Sequence, residues 1–329
     1  MAYITSAPPK YVLGAWPTPL GRLKKTEERL GMDMAGNSLY IKRDDLNGLG
    51  AGGNKVRCLE YFVGQALADG CDTLIAAGPV QSNMCSLTAA AAAKAGLKCI
   101  LVFNGSKPEK LSGNQLLNSL LGCRMVFLGQ VSPEERNAYT EKAAEQCRSS
   151  GGKPYIISNG GSNGVGALGY MSVVDELLEQ YPQQSGKRLT LFVPGGNGGV
   201  AAGIICGNLI RGCPFDIVVI SVEDSQEMLT EHISGIIKDA VGILGADPGE
   251  DLFRCVRVTD AYSGGGWGVN TAESSAEVLE FARDEGIYVE NIYTTKVIVG
   301  MKDMIRKGEI TGDACYLHTG GFGSLFSQY

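Results

Sequence analysis

Histidine is scarce in this chain of 329 residues, which has only two, His232 and His318. A Ser-His-Asp or Cys-His hydrolase needs a histidine beside its nucleophile, and a zinc site needs closely spaced ligands, so both classes are disfavoured. The ten cysteines are scattered and contain no C-x-x-C pair. They therefore predict reduced thiols, most of them buried, and neither a disulfide framework nor a metal site.

The chain also lacks a basic excess and a long apolar run. Lys and Arg number 29 against 35 Asp and Glu, a net charge of −6, which argues against a nucleic-acid partner. The longest uncharged segment, 189–210, contains a proline, two asparagines and several glycines. It predicts a strand, a loop and a helix rather than a membrane span. No leader-like segment precedes it, so we expect a cytoplasmic protein without a membrane partner.

Glycine, in contrast, is abundant, with 46 residues, twice the usual share of about 7 %. The glycines cluster at 52–53, 160–161, 195–199, 264–266 and 320–321. Such clusters between apolar runs predict loops whose backbone approaches another group closely.

From about Val56 onward, apolar runs of strand length alternate with helical periodicity. The predicted strands are 72–77, 98–103, 124–128, 154–157, 189–193, 216–222, 254–258 and 314–318. The predicted helices are 56–69, 82–95, 112–121, 133–148, 166–181, 200–210, 227–240, 272–284 and 295–306. Nearly continuous apolar strands that alternate with helices predict an α/β fold, with parallel sheet covered on both faces.

A lysine follows two glycines and an asparagine at a predicted helix start, in the segment Gly52-Gly53-Asn54-Lys55. The helix dipole is positive at this end and disfavours a cation. Lys55 is therefore either a solvent-facing side chain or an amine of lowered pKa, the form that Schiff-base chemistry uses.

The segment Gly195-Gly196-Asn197-Gly198-Gly199 lies between a predicted strand and a helix that starts near Val200. Successive N–H groups at such a place can cradle a phosphate, and the helix dipole assists. The pattern does not choose among cofactors, because Gly196 to Ala201 also fits the dinucleotide pattern G-x-G-x-x-A, with Glu223 as a possible ribose ligand. A glycine-rich turn without a ligand is the plainer alternative.

The segment Gln81-Ser82-Asn83 precedes an alanine-rich helix. Its side-chain oxygens either cap that helix or, together with free N–H groups, bind an anion such as a substrate carboxylate. Trp267 and Tyr293 are either pocket walls or packing residues. His318 is either a ligand or a hydrogen-bonded histidine at a strand end.

In this order along the chain, the motifs resemble those of the D-cysteine desulfhydrase and 1-aminocyclopropane-1-carboxylate deaminase family. The match runs from Pro17-Thr18-Pro19-Leu20 to His318-Thr319-Gly320-Gly321, and 41–45, 52–57 and 81–83 are its most specific parts. The resemblance implies a pyridoxal-phosphate-dependent enzyme of fold type II, tryptophan-synthase-β-like, with the cofactor in a cleft between two parallel-sheet domains. It implies a large domain of residues 1–51 and 165–329, a small domain of residues 52–164, and a homodimer.

The resemblance also implies residue roles. The cofactor would be bound by Lys55, covalently, and by Asn83, Gly195, Gly196, Asn197, Gly198, Gly199, Val200 and Thr319. A small amino-acid substrate would be bound by Gln81, Ser82, Asn83, Trp267 and Tyr293. Lys55, Ser82 and Tyr293 are the candidate catalytic residues, and no metal is expected.

The implied reaction is α,β-elimination from a small β-substituted amino acid, which gives pyruvate and ammonia. The leaving group would be sulfide from D-cysteine, sulfite from cysteate, or chloride, and the sequence leaves open both this choice and the preferred enantiomer. The glutamate that marks the cyclopropane-opening members falls at Thr294, so ring opening is not expected. A nicotinamide-dependent oxidoreductase and a non-catalytic amino-acid-binding descendant of the fold remain alternatives.

Two departures from the family pattern predict weak cofactor retention. The family's lysine near the phosphate is Cys58 here, and a hydroxyl residue common in its phosphate loop is Val200. A charge-assisted hydrogen bond is worth ~1.5–3 kcal/mol, so Val200→Thr or Cys58→Lys should raise the affinity for pyridoxal phosphate roughly tenfold. Titration of the apo-protein with the cofactor measures this. Unchanged affinity in both variants would show that another residue fills the role.

Overall fold

The strands and helices follow the predicted order in the computed structural model, which describes residues 8–32, 35–182 and 186–328. The strands are β1 Leu20–Arg22, β2 Leu39–Arg43, β3 Thr73–Pro79, β4 Lys98–Asn104, β5 Arg124–Phe127, β6 Pro154–Ile156, β7 Leu189–Gly195, β8 Asp216–Ser221, β9 Val256–Thr259 and β10 Asp313–His318. The helices are α1 Lys24–Arg29, α2 Lys55–Ala68, α3 Asn83–Ala95, α4 Gly113–Leu120, α5 Pro133–Ser149, α6 Gly164–Gln180, α7 Gly199–Ile210, α8 Gln226–Leu244, α9 Ala272–Glu285, α10 Thr294–Arg306 and α11 Phe322–Leu325. Short 3-10 turns lie at Asp44–Leu46 and Asn159–Gly161.

The strands form two sheets. One has six strands in the order β1-β2-β10-β7-β8-β9, and the other has four in the order β5-β4-β3-β6. Every neighbouring pair is parallel except β1 and β2. Strand β7 is buried throughout: Leu191 and Val193 pack into one apolar core and Phe192 into another. The predicted α/β class with buried parallel strands is confirmed.

The strands of the two sheets are distributed along the chain as expected if the middle segment is inserted into the other domain. The four-stranded sheet uses strands from 73–156, whereas the six-stranded sheet takes strands from both sides of that segment. Helix α2, inside the predicted small domain, lies against α6, since a Cβ on Gly169 would be 2.1 Å from the carbonyl oxygen of Arg57. The exact boundaries at 51/52 and 164/165 stay a prediction.

Strands β1 and β2 lie before Val56, where the hydrophobic periodicity of the sequence predicts no strand. The sequence of β2 includes Lys42, whose side chain is fully buried. Its amine is accommodated by three acceptors, the oxygens of Thr18, Gln180 and Glu176, each 2.6 Å away. A buried lysine interrupts the apolar run that marks a strand, and this hides β2 from pattern analysis.

All ten cysteines are free; five are buried and five are partly exposed, so burial is less general than the predicted majority. Within the described residues, no helix is both long enough and apolar enough to cross a membrane.

A buried ion network joins α2 to the rest of the molecule. The guanidinium of Arg57, 1 % exposed, donates to both carboxylate oxygens of Asp44 at 2.6 and 2.7 Å. It also donates to both oxygens of Glu176 on α6, at 2.7 and 3.0 Å, and lies 4.2 Å from the Trp16 ring centroid. Burial alone would raise the pKa of Glu176, but hydrogen bonds from Arg57 and Lys42 hold this pKa below its usual value. The network fixes the first turn of α2 against β2 and α6.

Replacing Arg57 by methionine removes this cation and leaves two carboxylates in the interior without it. Breaking a buried ion pair from one side costs ~3–5 kcal/mol, so we expect Arg57→Met to lose about that free energy of unfolding in a urea titration. Arg211→Met is the control, because Arg211 pairs with Asp175 in an exposed bridge, worth ~0–1 kcal/mol. Equal losses of unfolding free energy in the two variants would contradict the conclusion that this buried network stabilises the fold.

Candidate active site

A cleft of about 320 Å³ opens where the carboxyl ends of parallel strands from the two sheets meet. Its lining includes Pro79 of β3, Asn104 of β4 and Pro194 of β7. Ligands of α/β proteins bind outside these strand ends. Every predicted site residue lines this cleft except Gly195, which lies within β7. The lining residues among those predicted are Lys55, Gln81, Ser82, Asn83, Gly196, Asn197, Gly198, Gly199, Val200, Trp267, Tyr293 and Thr319.

Lys55 is the first residue of α2, and the loop before it is tied to the end of β10. Gly53 and Gly320 form an antiparallel bridge, and the Asn54 N–H donates to the Thr319 carbonyl at 3.0 Å. A Cβ on Gly320 would be 2.6 Å from the Gly53 Cα, so this approach requires glycine. The pairing places Lys55 beside Thr319 in the cleft.

The Lys55 amine has few partners for a lysine in this position. Its Nζ donates to the Gly160 carbonyl at 2.8 Å. Burial lowers the pKa of Lys55, because desolvation disfavours its charged form. An amine that loses its proton more readily is a better nucleophile.

Two buried lysines, Lys42 and Lys296, differ from the partly exposed Lys55. Lys296 donates to the carbonyls of Ser263, Gly266 and Val222 at 2.6, 2.7 and 3.3 Å, and Lys42 has the three oxygen partners described above. Their amines hold loops and helices in place. Lys55 alone among these three lysines has an amine with spare donors inside the cleft.

The glycine-rich loop lies at the start of α7 and presents backbone N–H groups to the cleft. Gly198 caps the helix with a left-handed backbone (φ 81°), which glycine adopts readily. A Cβ on Gly199 would lie 2.8 Å from the Ser162 hydroxyl oxygen, so the loop packs tightly on the turn before α6. Within the described part of the chain, the N–H groups of residues 196–200 donate to no protein acceptor. They remain available to an anion, which the helix dipole favours.

The N-terminus of α3 offers a second such place. The Ser82 hydroxyl oxygen accepts from the Cys85 N–H at 3.2 Å, so Ser82 caps the helix as one of the two sequence hypotheses stated. The cap uses a lone pair of the hydroxyl oxygen, and Ser82 also lines the cleft. Capping and ligand binding are therefore compatible at this residue.

Asn83 and Gln81 are oriented by Asn114, a buried residue of α4. The Asn114 amide donates to the Asn83 Oδ1 at 2.8 Å, which leaves the Asn83 amide hydrogens for the cleft. Gln81 accepts from the Asn114 N–H at 2.8 Å and donates to the Ser112 carbonyl at 3.2 Å. Both polar groups of the Gln81 side chain thus bond to the start of α4. Helix α4 also lies against α11, since a Cβ on Gly323 would be 2.1 Å from Asn114 Oδ1.

Trp267 and Tyr293 form one wall of the cleft. The Trp267 indole donates to the Tyr293 hydroxyl at 2.7 Å, and a Cβ on Gly196 would be 3.4 Å from the Tyr293 ring. Burial raises the pKa of Tyr293 well above its usual value, so its hydroxyl keeps its proton. That proton is available as a donor to a ligand.

His318 and Thr294 lie behind the cleft surface. The His318 ring bonds to the Tyr288 carbonyl at 2.9 Å and accepts from the Gly320 N–H at 3.1 Å. This is the hydrogen-bonded strand-end histidine of the two hypotheses. Thr294 is 1 % exposed, and its hydroxyl donates to the Glu290 carbonyl at 2.7 Å. It is absent from the cleft lining, unlike Thr319.

Two charged residues of the lining, Glu290 and Arg136, are not among the residues that the sequence predicts for the site. The Glu290 carboxylate accepts from the N–H groups of residues 292–294 at 2.7 to 3.0 Å, and burial raises its pKa. A carboxylate shortly before a helix is a recognisable cap signal, but nothing local to either residue indicates that it faces the cleft.

Of the two departures from the family pattern, only one lies in the lining. Val200 lines the cleft in the first turn of α7. Cys58 lies in the apolar core one turn beyond Lys55, and its thiol donates to the Lys55 carbonyl at 3.1 Å. Val200→Thr is thus the more direct test of cofactor retention.

Comparison with known proteins gives a consistent result. A family model described as pyridoxal-phosphate dependent enzyme matches residues 12–320. A Pyrococcus abyssi protein provisionally named 1-aminocyclopropane-1-carboxylate deaminase is 35 % identical over 97 % of this chain and 93 % of its own. D-cysteine desulfhydrase of Salmonella typhi is 30 % identical over 99 % and 98 %. A crystal structure described as an ACC deaminase homologue superposes with a TM-score of 0.88 at 35 % identity, covering 97 % of this chain and 94 % of the other.

The difference among the three lysines yields a labelling test. Borohydride reduction of the protein with pyridoxal phosphate, followed by peptide mapping, should place the pyridoxyl group on Lys55, because the amines of Lys42 and Lys296 each have three acceptors. Lys55→Ala should lose the label and remain folded, whereas Lys110→Ala at the surface should keep it. A label on Lys42 or Lys296 would refute the assignment.

Proposed function

The chain belongs to the family of pyridoxal-phosphate-dependent enzymes, and on that premise we propose that it catalyses α,β-elimination on a small β-substituted amino acid to give pyruvate and ammonia. One observation carries the proposal. A lysine amine of lowered pKa shares a cleft with two anion-binding helix N-termini, those of α3 and α7. One N-terminus fits a cofactor phosphate and the other fits an amino-acid carboxylate.

The residues of the cleft fit the cofactor. The undonated N–H groups of residues 196–200 match a phosphate, and the tight contact of Gly199 with Ser162 keeps side chains out of that cradle. Lys55 would bind the cofactor covalently. Asn83, with its carbonyl oxygen held by Asn114, would donate to the ring hydroxyl, and Thr319 would lie near the ring nitrogen. When bound, pyridoxal phosphate stabilises negative charge at the substrate α-carbon.

The remaining groups act on the substrate. The N-terminus of α3, with the Ser82 hydroxyl, would hold the carboxylate. The Lys55 amine, released on substrate binding, would accept the α-proton, and its lowered pKa increases the share of the neutral amine that can do so. Tyr293 and Trp267 would surround the β-substituent and exclude water from it.

The alternative hypothesis of a nicotinamide-dependent oxidoreductase fails on the family assignment. Glu223, its candidate ribose ligand, lies in the cleft lining but is exposed. The hypothesis of a non-catalytic descendant predicts cofactor binding without turnover, so a turnover assay separates it from the proposal.

Assembly and location complete the proposal: a homodimer in the cytoplasm. Ten free thiols support a reducing compartment. A dimer is supported by an exposed aromatic group made of Tyr288, Phe322 and Phe326, with successive ring centroids 5.9 and 5.1 Å apart. Light scattering would measure the mass in solution.

The reaction type predicts a substrate pattern. At least one β-substituted D- or L-alanine should yield pyruvate, whereas 1-aminocyclopropane-1-carboxylate should release no ammonia, because it carries no α-proton for Lys55 to accept. Ser82→Ala should lower kcat by ~10²–10⁴-fold if the hydroxyl transfers a proton, or raise KM if it only binds the carboxylate. Ser150→Ala, at the exposed end of α5, is the control. Ready turnover of the cyclopropane substrate, or no pyruvate from any candidate, would refute the proposal.

A further inference from the structure

Five lysine and arginine side chains are buried in the described part of the chain, and four of them have several hydrogen-bond or ion-pair partners. The five are Lys42, Arg57, Arg136, Lys296 and Lys302. Three form ion pairs: Lys42 and Arg57 do so in the network described above, and Lys302 with Glu277 and Glu280. Lys296 has three carbonyl acceptors. Arg136 differs from all of these.

Arg136 is 5 % exposed and has a single protein partner among the described residues. One guanidinium nitrogen donates to Asn104 Oδ1 at 3.1 Å, and Nε, which is buried, donates to nothing. It forms no ion pair in the described structure, where ion pairs extend to 4.0 Å. An unpaired buried cation costs several kcal/mol, so its retention calls for a ligand.

The place of Arg136 in the fold supports a ligand. It lies at the end of the first turn of α5, where the helix dipole opposes a cation and favours an anion. It lines the cleft together with Asn104, at the carboxyl end of β4. Ser132 and Glu135 already cap the N–H groups of this helix end, so a bound anion would satisfy the guanidinium alone.

We propose that Arg136 binds a second anionic group of the substrate, so that the amino acid carries a sulfonate or a similar oxyanion on its β-carbon. This inference rests on the proposed function and specifies its substrate class. The α-carboxylate has its own site at the N-terminus of α3, and the cofactor phosphate has the loop of residues 196–200. Arg136 is supplied by α5, a separate helix, and its planar fork matches an oxyanion.

For a β-sulfonated alanine the chemistry balances without an oxidant or a reductant. The α-proton goes to Lys55, the Cβ–S bond breaks, and its electron pair leaves with sulfur as sulfite. Addition of one water then gives pyruvate and ammonia. Arg136 would bind the oxygens of the departing group before and during bond breakage.

The test compares two ligands that lack an amine and therefore cannot react: 3-sulfopropanoate and propanoate. Calorimetric titration of the holoenzyme should show that 3-sulfopropanoate binds about tenfold or more tightly, as charged hydrogen bonds of this kind provide. Arg136→Met should abolish the preference. Arg148→Met, on the exposed end of the same helix, should retain it and controls for general charge. If Arg136→Met fails to fold, Arg136→Gln carries the same test.

Three results would overturn the inference. The first is equal binding of both ligands by the wild-type protein. The second is equal weakening of both ligands in Arg136→Met, which would assign Arg136 to the α-carboxylate. The third is loss of the cofactor from Arg136→Met, which would assign Arg136 to the phosphate. Because these ligands bind without turnover, the preference is measurable even if no amino acid yields pyruvate. Conversely, pyruvate formation from an uncharged β-substituted alanine with no ligand preference would retain the proposed function and refute the role of Arg136.

Discussion

The position of the Lys55 amine depends on the buried guanidinium of Arg57, two residues along the chain. The bonds of Arg57 to Asp44 and Glu176 anchor α2 to the 3-10 turn that follows β2 and to α6. The Gly53–Gly320 bridge then fixes the other side of the same loop. Contacts with three separated segments of the chain therefore hold the backbone around Lys55 in place, whereas its amine keeps hydrogen-bond donors without a protein acceptor. A group that must change partners during a reaction benefits from such an arrangement, because only the tip of the side chain has to move.

Around that amine the cleft gathers several helix N-termini, although the chain as a whole carries a net charge of −6. The N-termini of α3, α5 and α7 all meet the cleft. Two acidic residues also line the cleft: Glu290, whose carboxylate accepts from three backbone N–H groups, and the exposed Glu223. The helix dipoles favour an anion at the three helix ends.

Periodicity predicted every strand after Val56 and the helices from α2 to α10. Strands such as β7 and β10 are buried along their whole length, and helices such as α8 bury an apolar face. Periodicity missed β1, α1 and β2, where Lys42 lies inside the sheet, and the short helix α11. The resemblance brought together residues that the cleft does contain. The resemblance could not show that the side-chain amide of Gln81 bonds to residues at the start of α4, or that Thr294 lies outside the cleft lining. Nor could it show that Arg136 and Glu290 line the cleft. These depend on which distant element stands opposite, and a single sequence does not record that.

The contact between Asn114 and Gly323 has a mechanical consequence. It joins α4, attached to the four-stranded sheet, to α11, which follows the last strand of the six-stranded sheet. Gly323 has no side chain, so the two helices touch backbone to side chain. A Cβ at position 323 would lie 2.1 Å from the amide oxygen of Asn114 and would displace that side chain. Because Asn114 donates to both Asn83 and the Gln81 side chain, a change at the far end of the sequence would reach two residues of the cleft.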